Sequence, residues 1–222
     1  FEEDELRKNG FSKDNKSQQP QILVALMVTK EGFPIAFEIF SGNTFEGHTI
    51  IPTIKNFIGR NKVKEFTVVA DAAMISSENI TQLNQNEINY IVGARLGNLS
   101  IKLLGTIDEQ IVRQDGKSIR IKTELGYLIC SYSSVRYRKD LYEMNKQIEK
   151  AKEVVEVPSK SRKLKFTKTN DQKLELNEEL IEKTKKLLGI KGYYTSLEEN
   201  IADNKTIIER YHELYKIEQA FR

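Results

Sequence analysis

The sequence predicts an α/β fold: a mixed sheet with helices on its faces, interrupted by a strand-rich α+β insertion. Three features of the 222 residues carry that prediction. Residues 20–40 hold two apolar, β-branched runs joined by the turn Glu31-Gly32-Phe33-Pro34. Glu65 to Ala70 ends in the short continuous apolar run expected of a strand buried on both faces, and it lies between two helical patterns. From about Gly97 the texture changes to closely spaced strands and a long amphipathic helix.

Taken in order, the 20–40 hairpin gives way to the turn-forming loop Ser41-Gly42-Asn43-Thr44, where Gly42 and Asn43 are expected to supply positive φ. Ile50, Ile54 and Phe57/Ile58 then recur at helical spacing, with Gly59 placed to close the helix. The apolar run ending at Asp71, a helix over Ser77–Asn86 and a strand over Asn89–Ala94 follow. Beyond Gly97, strands are expected over Gly105–Val112, Ser118–Glu124 and Tyr127–Tyr132, with Asp115-Gly116 as a hairpin turn. Tyr137, Leu141, Met144, Ile148, Ala151 and Val155 form one stripe of a long helix. A hairpin turning near Asn170-Asp171 and a short helix closed by Gly189 complete this stretch. The core resumes with a strand at Lys191–Leu197 and ends in a helix from about Asn204 to Arg222. The expected organisation is therefore a core in two parts, 1–96 and 191–222, with an insertion subdomain at 97–190 packed to one side.

Composition narrows the class of protein. A hydrophobic fraction of 39% is enough for a packed core and excludes disordered and collagen-like chains. The single cysteine, Cys130, rules out an internal disulfide and fits a reducing cytoplasm; in its strand-like run it reads as a buried small hydrophobe. The longest apolar run, Ile22–Val28, is far short of the roughly 20 residues of a membrane helix. A net charge of +3 is too mild to mark a nucleic-acid partner by itself. The only histidines, His48 and His212, have no partner at zinc-ligand spacing.

Two carboxylates stand out. Asp71 follows a core strand, at the end where ligand sites form in open α/β sheets, although an Asp there also serves to cap the following helix. In the last helix, Ile207, Tyr211, Leu214, Glu218 and Phe221 recur at steps of four and three, which puts Glu218 on the apolar stripe. A carboxylate facing a core needs an ion-pair partner, here Arg222 or Lys216, or a metal. Two or three such groups converging in a crevice suit Mg²⁺, which takes oxygen ligands, and a pair of ions supports phosphodiester chemistry.

Several motifs in order then resemble one family. They are Gly10-Phe11-Ser12-Lys13-Asp14, Gly32-Phe33-Pro34, Glu38-Ile39-Phe40, residues 42–49 (GNTFEGHT), residues 68–74 (VVADAAM) and residues 211–222 (YHELYKIEQAFR). Together they are similar to the DDE transposases of bacterial insertion sequences, in the branch whose RNase H-like core carries a strand-rich insertion between the second Asp and the Glu. The resemblance implies that Asp71 is the second catalytic Asp and Glu218, 147 positions on, the catalytic Glu, together holding Mg²⁺ or Mn²⁺. It also implies double-stranded DNA as partner, both the terminal inverted repeats and the target, and a homodimer in the full assembly. The location it implies is a bacterial, nucleoid-associated cytoplasmic one. Leu214 stands where the family often has Arg. The family's first Asp would precede Phe1, so the chain reads as an internal fragment that is catalytically incomplete alone.

Arg95, after the strand at 89–94, occupies a position where the family often carries a basic residue that reaches DNA. Lys160, Arg162, Lys163 and Lys165 head the densest basic run, suited to phosphate contacts or to a solvated hairpin. Tyr211 is expected either in the core or against DNA, and the Tyr193-Tyr194 pair as strand packing. Two other functions compete with transposition: a non-catalytic DNA-binding remnant of a transposase, and a structure-specific nuclease on the same fold.

Overall fold

The structure, a computed structural model, describes residues 3–10, 19–63, 65–72, 75–156, 164–170 and 173–216. Two compact units make up the chain: Phe1–Gly93 with Lys122–Leu128 and Tyr193–Arg222, and Ala94–Ile121 with Ile129–Gly192. Among the described residues no helix is long and apolar enough to cross a membrane.

In the first unit, β1 (Ile22–Val28) and β2 (Pro34–Ser41) form the expected antiparallel hairpin, with Val24 opposite Ile39 and Leu26 opposite Phe37. Among the described residues the hairpin is a two-stranded sheet of its own rather than part of the larger sheet. Its base is pinned by the reciprocal backbone bonds of Lys8 and Gln21, and by the Gly42 N–H donating to the Leu6 carbonyl. Gly42 does not have positive φ, contrary to the sequence reading. It is required for close approach, because a Cβ there would meet the Gln21 carbonyl oxygen at 1.9 Å and the Lys8 carbonyl oxygen at 2.6 Å. Asn43 accepts a hydrogen bond from the Ser41 hydroxyl instead of adopting positive φ.

A 3-10 turn at Glu46–His48 leads into α1 (Ile50–Asn61), which buries Ile50, Ile51 and Ile54. Gly59 lies inside α1 and does not close it; Lys62 does so in the left-handed conformation, φ 52°. Then come β3 (Thr67–Ala70), α2 (Ser77–Gln85) and β4 (Asn89–Ala94). The Ser76 hydroxyl caps α2 by accepting from the Asn79 N–H, so Ser76, not Asp71, is the N-cap of this helix. β3 and β4 pair in parallel, Ala70 opposite Val92, and Tyr90, Ile91 and Val92 are fully buried.

The second unit opens with α3 (Ile101–Gln110), where the sequence reading expected a strand. Leu104, Ile107 and Ile111 are all buried, at steps of three and four, and Ser100 caps the helix. Helical periodicity prevails over the β-branched content of this segment. β5 (Ser118–Thr123) and β6 (Gly126–Tyr132) follow, joined at Glu124-Leu125, while Asp115-Gly116 lies between α3 and β5 rather than between two strands. Asp115 instead accepts from the Ser134 N–H and hydroxyl, both at 2.6 Å, at the start of α4 (Ser134–Glu156). The stripe of α4 packs as expected. Met144 and Ala151 are buried in one cluster with Phe166, Ile181 and Leu188, and Tyr137, Leu141 and Ile148 pack against it. β7 (Thr167–Asn170) and β8 (Lys173–Leu176) form the expected second hairpin, and α5 (Glu178–Lys186) the short helix, capped by Asn177.

The chain ends with β9 (Ile190–Thr195) and α6 (Asn204–His212). The large sheet has five strands in the order β3-β4-β9-β6-β5. β5 and β6 thus stand in the same sheet as β3, the strand that precedes Asp71. Hydrophobic pattern identifies a strand but not its neighbour in the sheet. The last helix is interrupted at Glu213, which caps α6, and helix resumes over 214–216; residues 217–222, where the expected helix would continue, lie outside the described residues.

Candidate active site at the end of β3

Asp71 is the first residue after β3, exposed at the carboxyl end of a strand that pairs in parallel with β4. Its Oδ1 atom accepts two hydrogen bonds, from its neighbour's backbone N–H (Ala72, 2.6 Å) and from the Tyr211 hydroxyl (2.8 Å). No described residue bonds to Oδ2. Among the described residues the carboxylate is therefore held on one oxygen and open on the other.

Tyr211 reaches Asp71 from α6, which packs beside β3. The same stripe that buries Ile207 completely places Tyr211 one turn later, with 6% of its surface exposed. Its ring meets the Tyr193 ring edge-on, centroids 4.9 Å apart, and the Tyr193 hydroxyl lies 3.1 Å from His212 Nε2. Burial raises the Tyr211 phenol well above its ordinary value, and donation to the Asp71 carboxylate raises it further, so the hydroxyl stays a proton donor. Gly93 of β4 makes the approach possible, since a Cβ at this position would come within 2.6 Å of the Tyr211 hydroxyl and 2.9 Å of Ala72 Cβ.

The structure thus brings together two of the residues singled out from sequence, Asp71 and Tyr211, 140 positions apart. Sequence reasoning passed over Gly93, read Tyr193 as strand packing only, and weighed His212 only as a zinc ligand. Only Gly93 carried a usable signal, because a glycine inside an apolar strand marks close approach of a neighbour. Of the other candidates, Arg95 is exposed directly after β4, its carbonyl accepting from the Asn98 N–H. Lys165 is exposed with its ammonium 5.1 Å from the centre of the Phe166 ring. Glu218, Lys160, Arg162 and Lys163 lie outside the described residues. Residues 42–49, one of the motifs that carried the resemblance, help to hold the fold together. The buried Gly47 carbonyl accepts from the Asn79 amide of α2 at 2.7 Å, and His48 packs edge-on against Phe45.

The donor set fits a hard divalent cation in part. Asp71 offers an exposed carboxylate oxygen of the kind Mg²⁺ or Mn²⁺ takes, whereas among the described residues no group of three or more His, Cys, Asp and Glu could hold a metal. Cys130 is no alternative nucleophile, since burial pushes its thiol up to about 12.

Comparison with curated proteins gave no significant match, and comparison with solved structures gave none either. A family model does match. The model of the transposase DDE domain aligns with residues 3–222, nearly the whole chain, and the α/β architecture with its five-stranded sheet is consistent with the RNase H-like fold of such transposases. An acid at the carboxyl end of a core strand, on a chain matched over that length, places this protein in the family of transposase DDE domains.

Proposed function

We infer that the protein cuts DNA at the ends of an insertion sequence and joins the freed 3′ ends to target DNA, with Asp71 and Glu218 as carboxylate ligands for Mg²⁺ or Mn²⁺. The observation that carries this reading is the placement of Asp71: a strand-end carboxylate held on Oδ1, with Oδ2 open among the described residues. A bound divalent ion supplies charge at the scissile phosphate and lowers the cost of generating an attacking oxygen. Asp71 would contribute a fixed negative oxygen from a strand end, so that little reorganisation accompanies ion binding. Glu218, on the segment that follows α6, would contribute the second carboxylate. Arg95, Lys160, Arg162, Lys163 and Lys165 would bind phosphates of the element ends or the target without reading sequence. Two protomers would act together on paired ends.

The test uses the full gene product that carries this chain. Asp71→Asn and Glu218→Gln should each abolish Mg²⁺-dependent cleavage of element-end DNA while binding to that DNA stays within about twofold, because the amide keeps the shape of the acid but not its charge. Binding with no cleavage by the unaltered protein would favour the non-catalytic remnant. Cleavage that survives either substitution removes that residue from the metal site.

A further inference from the structure

We propose that Tyr211 is a positioning residue for Asp71: its hydroxyl fixes Oδ1 so that Oδ2 is presented to the metal. This rests on the reading of Asp71 as a metal ligand and adds a residue that acts through it.

A carboxylate on a single-bond axis samples many orientations, and each must be narrowed when an ion binds. Here two donors, the Ala72 N–H at 2.6 Å and the Tyr211 hydroxyl at 2.8 Å, converge on the same oxygen. One comes from the adjoining backbone and the other from a helix 140 positions away, so together they fix the carboxylate. Donors on both oxygens would compete with an ion; donors on Oδ1 alone leave the other lone pairs unopposed.

Three features show that the hydroxyl is held in place. Tyr211 is buried in α6, and its ring is wedged edge-on against Tyr193, which is itself 1% exposed. The Tyr193 hydroxyl is tied to His212, the next residue of α6 after Tyr211. Gly93 leaves the space the hydroxyl occupies: any side chain there would begin 2.6 Å from it. Strand, helix and glycine therefore agree on one position for the phenol oxygen, as outer residues around a metal ligand do.

Tyr211→Phe removes only the hydroxyl and keeps the packing against Tyr193, so a change in ion affinity separates positioning from folding. In the full gene product, Mn²⁺ binding followed by water-proton relaxation should weaken roughly tenfold in Tyr211→Phe. The Mg²⁺ concentration for half-maximal end cleavage should rise by about the same factor, with the rate at saturating Mg²⁺ largely kept. The unfolding midpoint and the affinity for element-end DNA should be unchanged. Gly93→Ala, which pushes a methyl against the hydroxyl, should reproduce the ion defect. Mn²⁺ affinity within about twofold of the unaltered protein in Tyr211→Phe would overturn the proposal. So would a loss of DNA affinity with unchanged ion dependence, which would assign the hydroxyl to the DNA backbone. Asp71→Asn in the same titration separates the two levels. If it leaves Mn²⁺ binding intact, the metal-ligand reading itself falls. If it weakens binding and Tyr211→Phe does not, only the positioning role falls.

Discussion

The side-chain amide of Asn79 donates to the Gly47 carbonyl across 2.7 Å, with both residues buried. It joins the loop that follows the β1–β2 hairpin to α2, 32 positions away, and so sets where α1 begins relative to the helix that follows the Asp71 strand. Replacing Asn79 by Leu would leave a buried carbonyl with one donor fewer. The expected cost is about 1–3 kcal/mol, read as a lower denaturant midpoint at unchanged m-value. Asn79→Asp brings a carboxylate to the same carbonyl and should be worse than Leu at neutral pH; equal stability of the two would show that the amide contributes nothing as a donor.

Two glycines should respond in opposite senses to the same change. Gly42→Ala forces a methyl to within 1.9 Å of the Gln21 carbonyl oxygen, where only backbone movement relieves the clash, and should cost about 3 kcal/mol or more. Gly59 lies in the interior of α1, exposed, with nothing within 4 Å of a new Cβ. Gly59→Ala should therefore stabilise by about 0.5–1 kcal/mol through helix propensity. Thermal unfolding of the two single variants decides both, and a destabilised Gly59→Ala would refute the assignment of position 59 to a helix interior.

These glycines also show what a sequence discloses and what it withholds. β3, α2 and β4 are legible because a short apolar run, a helical pattern and a second apolar run are local signals, each complete within about ten residues. α3 reads as a strand because Thr106, Ile107, Ile111 and Val112 are β-branched, and only the buried spacing of Leu104, Ile107 and Ile111 reveals the helix. Gly42 reads as a conformational glycine, yet its constraint comes from a chain segment 21 positions earlier. The site divides in the same way. Asp71 is found from its place at a strand end, whereas its bond to Tyr211 depends on how α6 packs beside β3, which no local pattern encodes.

Asp115 predicts a dependence on pH. Its carboxyl is held below the usual 3.8 by hydrogen bonds from the Ser134 hydroxyl and then the Ser134 N–H. A carboxyl lowered in the folded state stabilises at pH above its unfolded value, and the contribution is lost as pH falls through the folded value. Asp115→Ala should therefore lower the unfolding midpoint at neutral pH, with the gap from the unaltered protein closing as the pH drops below 3.8. A gap that stays constant into strong acid would mean the residue acts through packing alone.

Cys130 should be silent to thiol reagents in the native protein. It is fully buried in β6 and its thiol is pushed up to about 12, so neither access nor thiolate is present near neutral pH. Ellman's reagent should react at a rate that rises with denaturant in step with unfolding. Rapid stoichiometric labelling without denaturant would show that β6 opens far more readily than its burial implies.

The basic residues assigned to DNA can be tested apart from the carboxylates, because phosphate contacts and metal ligands leave different signatures. Each cation that neutralises a phosphate releases condensed counterions, so the slope of log affinity against log salt falls by about 0.9 for every contact removed. Charge reversal at Lys160, Arg162, Lys163 and Lys165 should weaken binding to element-end and unrelated DNA alike and flatten that slope by up to about four units. Arg95→Ala should flatten it by roughly one. The Mg²⁺ concentration for half-maximal cleavage should stay put once the DNA is saturating, in contrast to Tyr211→Phe, where the ion dependence moves and the salt slope does not. An unchanged slope in the four-residue variant would return that run to a solvated hairpin, and an Arg95 variant with unaltered slope would remove Arg95 from the DNA surface.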